Sequence, residues 1–238
     1  LMGACWSFGM ISAVESALLK AYGLEFDLSE GNMHHSMLRY FRYGDLLVYE
    51  EGFLTDALSY LVGWYGPVLE ETDPYDEIGK LSPFLSGGYD VIHVQDVVFI
   101  PNDDVPVGSM IKSAILNYGA LAVSYYCISE ASIYYNPENS AHYVNESLDA
   151  SHSVSVIGWD DNFSRDNFLI TPPGDGAWIV KNSWGTEWGD EGYFYLSYYE
   201  KSLFTKDLDT NLSYPFIVCI FNNTINYHVN YQTDLNGL

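Results

Sequence analysis

Residues 3–23 read GACWSFGMISAVESALLKAYG, and this stretch decides the fold of the N-terminal half. Apolar residues such as Ile11 and Leu18 recur at helical spacing, and Gly23 is suited to end a helix. The pattern predicts a helix with Cys5 at its start, where the positive end of the helix dipole favours a thiolate. Cys5 is therefore a candidate nucleophile, although a lone Cys is more often a buried, inert residue.

The composition limits the function classes. The 238 residues include 9 Lys plus Arg and 32 Asp plus Glu, which gives a net charge of −23. Such a charge repels phosphate and excludes nucleic acids and anionic membranes as favoured partners. No apolar run reaches the roughly 18 residues that a bilayer span needs. We expect a soluble protein that is extracellular or exposed at a cell surface.

The cysteine count and the start of the chain carry two further expectations. Cys5, Cys127 and Cys219 allow at most one disulfide, so the fold is not built on disulfides, and one thiol is left for chemistry. The helical pattern begins within five residues of Leu1, and no signal peptide precedes it. We therefore expect a fragment or a mature core.

The first half of the chain predicts further helices. Ser29 is a suitable cap for a second helix, and leucines at 54, 58 and 61 form the stripe of a third. Apolar positions from Val107 to Tyr118 predict another helix, capped by Asp103 or Asp104 and ended by Gly119.

The second half changes to a period of two. Strands are predicted around 121–125, 154–156, 178–181, 193–197 and 214–221, and residues 136–150 are predicted to form a long polar surface loop. Helices followed by strands indicate an α+β protein with two lobes.

Two later segments supply candidate partners for Cys5. Residues 151–159, SHSVSVIGW, place His152 at the start of an alternating strand, where it can act as a base beside a cleft. Residues 178–189, WIVKNSWGTEWG, run from an apolar strand into Asn182, which can fix a His tautomer, and Trp184, which can shield that bond. Taken singly, such a His is more often structural, and so is such a turn. His34, His35, His93, His142 and His228 have no companion pattern.

The order and spacing of the three segments carry a resemblance. His152 follows Cys5 by 147 residues, and Asn182 follows His152 by 30. This arrangement resembles the papain-like cysteine peptidases, whose Cys lies near the mature N-terminus with His and Asn about 130–150 residues downstream. Asn182 lies beyond that range, which an insertion at 136–150 would explain. The motifs are most similar to those of prokaryotic secreted or cell-surface members of the family. Some of these members carry a lectin-like domain after the protease.

The resemblance implies a fold and a mechanism. The expected fold is α+β, with an N-terminal helical lobe (about 1–105), a C-terminal antiparallel β lobe (about 106–221) and the active-site cleft between them. Residues 222–238 would be a linker or the start of a further domain. The Cys5 thiolate and the His152 imidazolium would form an ion pair, and the thiolate would attack the peptide bond. Asn182 would orient His152 through a hydrogen bond, and Trp184 would cover that bond.

The resemblance also implies an oxyanion hole. The backbone N–H of Cys5 would be one donor, and a Gln six residues earlier would be the second. That Gln falls before Leu1, so we expect these 238 residues alone to be weakly active or inactive. Met2 stands where many members have a disulfide-forming Cys.

Substrate-binding residues are carried over from the family in the same way. They are Gly3, Glu51, Gly52, Phe53, Leu54, Ala150, Ser151 and Trp188. Gly52 would bind the peptide backbone, with Glu51 replacing a first Gly. Phe53 and Leu54 would wall an apolar specificity pocket above Ala150, although plain core packing is an equal reading of both. Trp188 would line the leaving-group side.

Two alternatives stay open at this point. One is a catalytically impaired papain-fold binding module, and the other is a different Cys-His acyl transferase of the transglutaminase kind. The expected partner is a peptide or protein substrate, and we expect no cofactor and no metal.

Overall fold

The computed structural model describes residues 3–38, 52–76, 92–100, 108–127, 133–204 and 216–221. The helices are α1 (Cys5–Tyr22), α2 (Glu30–Ser36), α3 (Leu54–Val62) and α4 (Ser109–Tyr118). The strands are β1 (Asp96–Ile100), β2 (Leu121–Tyr125), β3 (Tyr135–Asn136), β4 (Ala141–His142), β5 (His152–Asp160), β6 (Ala177–Lys181), β7 (Tyr193–Ser197) and β8 (Phe216–Ile220). Short 3₁₀ turns lie at Arg165–Asn167 and Ser202–Phe204.

Helix α1 is the central element, and it begins at Cys5 as the sequence predicts. Gly23 ends it in the left-handed conformation, and its N–H donates to the carbonyl of Leu19. The helix packs against β2, β5 and β8. Its approach to β5 is close, because a Cβ on Gly9 would lie 3.1 Å from backbone atoms of Val154. The glycine therefore fixes the depth at which α1 sits on the sheet.

A buried polar network joins α2 to the rest of the helical region. Ser29 caps α2 as predicted, because its side chain accepts from the N–H of Asn32 at 2.9 Å. Asn32 donates to the Asp73 carboxylate at 2.9 Å and accepts from the Tyr60 hydroxyl of α3 at 2.6 Å. These bonds tie α2, α3 and the segment around Asp73 together.

Helix α4 differs from the prediction at its N-terminus. It starts at Ser109, and its cap position is Gly108 in the left-handed conformation. The predicted caps Asp103 and Asp104 lie outside the described residues, and so does Val107. A Cβ on Gly108 would collide with the ring of Trp178, so packing as well as backbone conformation favours glycine there. Gly119 ends the helix as predicted.

The strands form one eight-stranded sheet with the order β1-β8-β2-β5-β6-β7-β4-β3. All neighbours pair antiparallel except β4 and β7, which pair parallel. The predicted strands at 121–125 and 193–197 are confirmed, and β8 falls within the predicted 214–221. Strand β1, which the sequence analysis did not predict, lies within the region assigned to the helical lobe.

The predicted surface loop at 136–150 is wrong in part. It contains β4, whose Ala141 and His142 are buried, and the following Tyr143 and Val144 are buried as well. The polar composition of the segment hides this short apolar run.

Two large hydrophobic cores underlie the α+β architecture, and a smaller third cluster contains Ala141, Tyr143, Phe168 and Ala177. The first packs α1, α2 and α3 around residues such as Trp6, Met33 and Tyr60. The second packs α4 and the central strands around Trp178 and Phe194. Strand β8 contributes to both cores, because alternate side chains of a strand point to opposite faces.

Candidate active site

His152 and Asn182 meet where two antiparallel strands adjoin. His152 is the first residue of β5, and Asn182 directly follows β6. The Nε2 atom of His152 lies 2.8 Å from Oδ1 of Asn182. That oxygen also accepts from the N–H of Ser183 at 2.8 Å, and the N–H of Asn182 donates to the Gly192 carbonyl. The amide oxygen is thus held in place, and Nε2 of His152 is the donor to it.

The imidazole of His152 is shielded from water. The side chains around it leave His152 7% exposed and Asn182 9% exposed. The indole of Trp184 stacks on the imidazole with 4.7 Å between ring centroids. Trp184 itself is 40% exposed, so it covers the bond from the solvent side.

Burial and two neighbouring residues shift the pKa of His152. Burial lowers the pKa of His152 below its ordinary value, because the charged ring loses hydration. The hydrogen bond to Asn182 raises that pKa, and the charge of His142 lowers it further. A thiolate partner would favour the imidazolium form again.

Cys5 lies at the N-terminus of an 18-residue helix, half-buried, where the helix dipole favours a negative charge. One helical turn later, Gly9 touches the backbone of Val154, which is two residues from His152. Residues four apart on a helix share a face, and so do residues two apart on a strand. The Gly9–Val154 contact therefore packs the first turns of α1 against the first half of β5.

The three thiols have different environments, and none is in a disulfide. Cys219 is fully buried in the first core, and burial raises its pKa to about 12. Burial also raises the pKa of Cys127, and the nearby charge of Cys5 adds to the increase. Cys127 thus lies within electrostatic range of Cys5, and both it and Cys219 are disfavoured as thiolates.

Five of the predicted substrate-binding residues belong to the helical half of the chain. A Cβ on Gly52 would overlap the indole of Trp6, so Gly52 lies directly against the residue after Cys5. Phe53 is 52% exposed, whereas Leu54 is buried in the first core. Gly3 is half-buried, and Glu51 lies outside the described residues. Leu54 is thus at least in part a packing residue.

On the sheet side, Ala150 and Ser151 are exposed immediately before His152. The Ser151 hydroxyl donates to the carbonyl of Cys127 at 2.7 Å and accepts from its N–H at 3.0 Å. Trp188 is buried and stacks on Tyr135 with 5.1 Å between centroids. Its ring also meets Trp184 edge-on at 4.8 Å, so it supports the Trp184 cover from behind.

Sequence reasoning missed one polar pair beside this site. His142 and Glu200 are buried, and Nδ1 of His142 lies 3.5 Å from Oε2 of Glu200. The two residues are 58 positions apart in the chain, and no local motif marks either of them.

No three His, Cys, Asp or Glu side chains in the described ranges converge in a way that could hold a metal ion. No helix in the same ranges is long and apolar enough to cross a membrane.

Solved structures with this fold include the clostridial cysteine protease Cwp84 after propeptide cleavage. It is 29% identical with a TM-score of 0.74, and the match covers 91% of this chain and 52% of that one. A structure of the cysteine protease and lectin-like domains of Cwp84, a surface layer associated protein of Clostridium difficile, is 31% identical with a TM-score of 0.70, over 84% of this chain and 44% of that one.

Curated relatives include cathepsin L of Sarcophaga peregrina, which is 28% identical over 204 residues. The match covers 82% of this chain and 52% of that protein, so the chain spans about half the length of the relatives it matches. Residues 2–216 match the papain family of cysteine proteases. The fold, the order of the motifs and this match agree: the chain belongs to the papain family of cysteine proteases.

Proposed function

We propose that this chain is a cysteine-type peptidase that hydrolyses peptide bonds with Cys5 as nucleophile, His152 as acid and base, and Asn182 as orienter. The observation that carries the proposal is the 2.8 Å contact between Nε2 of His152 and Oδ1 of Asn182, covered by Trp184. Because Asn182 occupies Nε2, Nδ1 is the ring nitrogen left to exchange a proton with a thiol.

The reaction follows from these roles. The Cys5 thiolate attacks the scissile carbonyl carbon, and its electron pair forms the C–S bond while the carbonyl oxygen becomes an oxyanion. When the tetrahedral species collapses, His152 gives its proton to the leaving amine and a thioester remains. His152 then takes a proton from water, which attacks the thioester and releases the carboxylic acid and the thiol.

The start of α1 supplies charge stabilisation for the oxyanion. The backbone N–H of Cys5 lies at the helix N-terminus, where the positive end of the helix dipole favours a developing negative charge. One donor of this kind is worth about 10² to 10³ in rate. A second donor, implied by the family, would come from a Gln six residues before Cys5.

A peptide substrate fits the surroundings of this site. Gly52 carries no side chain of its own, so an extended substrate backbone can approach it on the face away from the Trp6 indole. Phe53 is exposed and offers an apolar wall to a bulky substrate side chain. Ala150 and Ser151 would form the opposite wall, and Glu51 would lie at the rim. Gly3, Leu54 and Trp188 complete the proposed set.

We further propose an extracellular or cell-surface location. The charge of −23 suits a soluble exposed protein, and one similar structure is described as a surface layer associated protein. That protein carries a lectin-like domain with its protease, so a downstream domain of the same kind is part of this proposal.

Site-specific alkylation tests the nucleophile. We expect iodoacetamide to label Cys5 with a pH midpoint well below the ordinary thiol value of about 8.5. Cys127 and Cys219 serve as internal controls, because both are disfavoured as thiolates and should be labelled only at higher pH. A Cys5 midpoint near 8.5 would contradict the assignment.

Hydrolysis of a fluorogenic peptide tests the activity itself, and it is measured on a form of the protein that includes the residue proposed as second oxyanion donor. We expect Cys5→Ala to abolish turnover, with a loss of at least about 10⁴-fold. Cys127→Ala removes the neighbouring thiol instead and should retain activity. Equal loss in both variants, or persistence of activity in Cys5→Ala, would refute the role of Cys5.

A further inference from the structure

His142 and Glu200 form a buried ionisable pair beside the candidate active site. His142 is 1% exposed and Glu200 is not exposed at all, and Nδ1 and Oε2 are 3.5 Å apart. Neither ring nitrogen of His142 has a hydrogen-bond partner among the described residues. Burying a charged group costs free energy unless the group is paired, so each member of this pair would offset the cost of burying the other.

The carboxylate of Glu200 is firmly held. Oε2 accepts from the N–H of Val144 at 2.8 Å, and Oε1 accepts from the N–H and the hydroxyl of Ser202 at 3.0 and 2.6 Å. Three donors therefore converge on one acid group, an arrangement that suits the ionised form. The imidazole of His142 is the ring that lies beside this charge.

Tyr125 links the pair to His152. Its ring meets His142 edge-on at 4.9 Å and His152 edge-on at 5.8 Å between centroids. Tyr125 is fully buried, so only protein separates the two imidazoles along this path. Burial lowers the pKa of His152 most, and the charge of His142 lowers it further.

Other ionisable groups face the same region. Cys127 hydrogen-bonds Tyr125, and Cys5 lies within electrostatic range of Cys127. Burial raises the pKa of Tyr134 and of Tyr143, and the charge of Glu200 adds to the increase in both. Asn182 and Trp184 contact His152 directly and carry no charge. Among these groups, His142 and Glu200 are the pair that can place opposite charges behind His152.

We propose that His142 and Glu200 are positioning residues whose charged pair sets the pH range over which His152 keeps its proton. The inference rests on the proposed function of His152. A protonated His142 opposes a proton on His152, and Glu200 cancels part of that field. Loss of the His142 charge alone would leave a buried negative charge near His152 and extend the imidazolium form to higher pH.

The experiment measures the alkaline limb of two pH profiles, kcat/KM for peptide hydrolysis and alkylation of Cys5. His142→Phe removes the charge and keeps an aromatic ring against Tyr125. We expect the midpoint of the alkaline limb to move up by about one pH unit or less, because the Tyr125 ring separates the two imidazoles and the effective dielectric constant is near 20. His142→Gln provides a second neutral variant if His142→Phe does not fold.

Charge compensation separates this role from a structural one. In His142→Phe/Glu200→Gln both charges are removed, and the midpoint should return to the wild-type value. Glu200→Gln alone should not move it up. Phe163→Leu is a matched control, because Phe163 carries no charge and packs in the cluster that contains Ala141 and Tyr143, the two chain neighbours of His142. It should weaken packing and leave the midpoint unchanged.

The outcomes distinguish this inference from the proposed function. If the wild-type protein has no low-pH thiol reactivity at Cys5 and no peptide hydrolysis, the proposed function fails. If it is active but both His142 variants keep the wild-type midpoint, or Glu200→Gln raises it, the role of the His142–Glu200 pair is refuted while the peptidase assignment stands.

Discussion

Helix α1 borders two groups of buried ionisable residues, and burial affects them in opposite ways. Near its start, burial lowers the pKa of His152, whose charged form is a cation. Further along, burial raises the pKa of Glu15 and raises that of Glu30 to about 8, because their charged forms are anions. In both regions desolvation is the largest cause, and it disfavours charge whatever its sign.

The two regions differ in the partners that offset burial. Asn182 accepts a hydrogen bond from His152 and favours its charged form. Glu30 instead faces Glu15, Glu70 and Asp27, whose like charges raise its pKa further. A hydrogen-bond partner offsets the free-energy cost of burying a charged group. Like charges nearby add to that cost, so a group buried among them destabilises the fold. Substitutions on each side should therefore affect different observables.

The largest effect is expected on the side of His152. Asn182→Ala removes the acceptor that fixes the imidazole, so we expect kcat/KM to fall about 10²-fold, mainly through kcat. The exposed turn residue Asn139 gives a matched control, and Asn139→Ala should leave kcat/KM unchanged. Steady-state hydrolysis of a fluorogenic peptide checks both, and full activity in Asn182→Ala would remove the orienting role.

A smaller effect is expected from Gly9→Ala. The added Cβ would meet the backbone of Val154 at 3.1 Å, which is tighter than ordinary contact, so α1 must shift by a few tenths of an ångström. That shift moves Cys5 relative to His152, and we expect kcat/KM to fall about tenfold with little change in Tm, because alanine also favours the helix.

Gly158 on β5 is the control for Gly9, because a Cβ there meets only the Ile179 side chain at 3.8 Å. Gly158→Ala should leave kcat/KM unchanged. If the two variants behave alike, the close approach of α1 to β5 does not position Cys5.

The sequence predicted the elements whose signals are local. Gly23 and Gly119 end their helices, and Ser29 caps α2, because capping depends on residues within one turn. The order of Cys5, His152 and Asn182 carried the resemblance to the family, and the structure brings His152 and Asn182 into contact.

What the sequence did not predict depends on distant partners. Strand β1 has no strong alternation and exists through pairing with β8, more than 100 residues later. Strand β4 has two residues and pairs with β7 across more than 50 positions. The same long separation hides His142 and Glu200, since a buried acid beside a buried His has no signature in one sequence.

The smallest expected effect is on stability, and it comes from Glu30, the first residue of α2. The pKa of Glu30 is about 8 in the folded protein and 4.5 as its ordinary value, so between these pH values the folded state binds more protons than the unfolded state. Stability contributed at this position is therefore fully present below pH 4.5 and is lost as the pH rises through 8.

Glu30→Gln keeps the shape of the side chain and removes the charge. We expect it to stabilise the protein by about 1 to 2 kcal/mol at pH 8, a few degrees in Tm, after allowance for partial exposure and for the lost helix-dipole interaction. At pH 4 the gain should vanish, and kcat/KM should not change. Glu25→Gln alters the net charge equally at an exposed position, so thermal melts of both variants at the two pH values separate a local effect from general charge repulsion. Equal stabilisation by both, or a gain for Glu30→Gln that persists at pH 4, would mean that burial of Glu30 among like charges does not oppose folding.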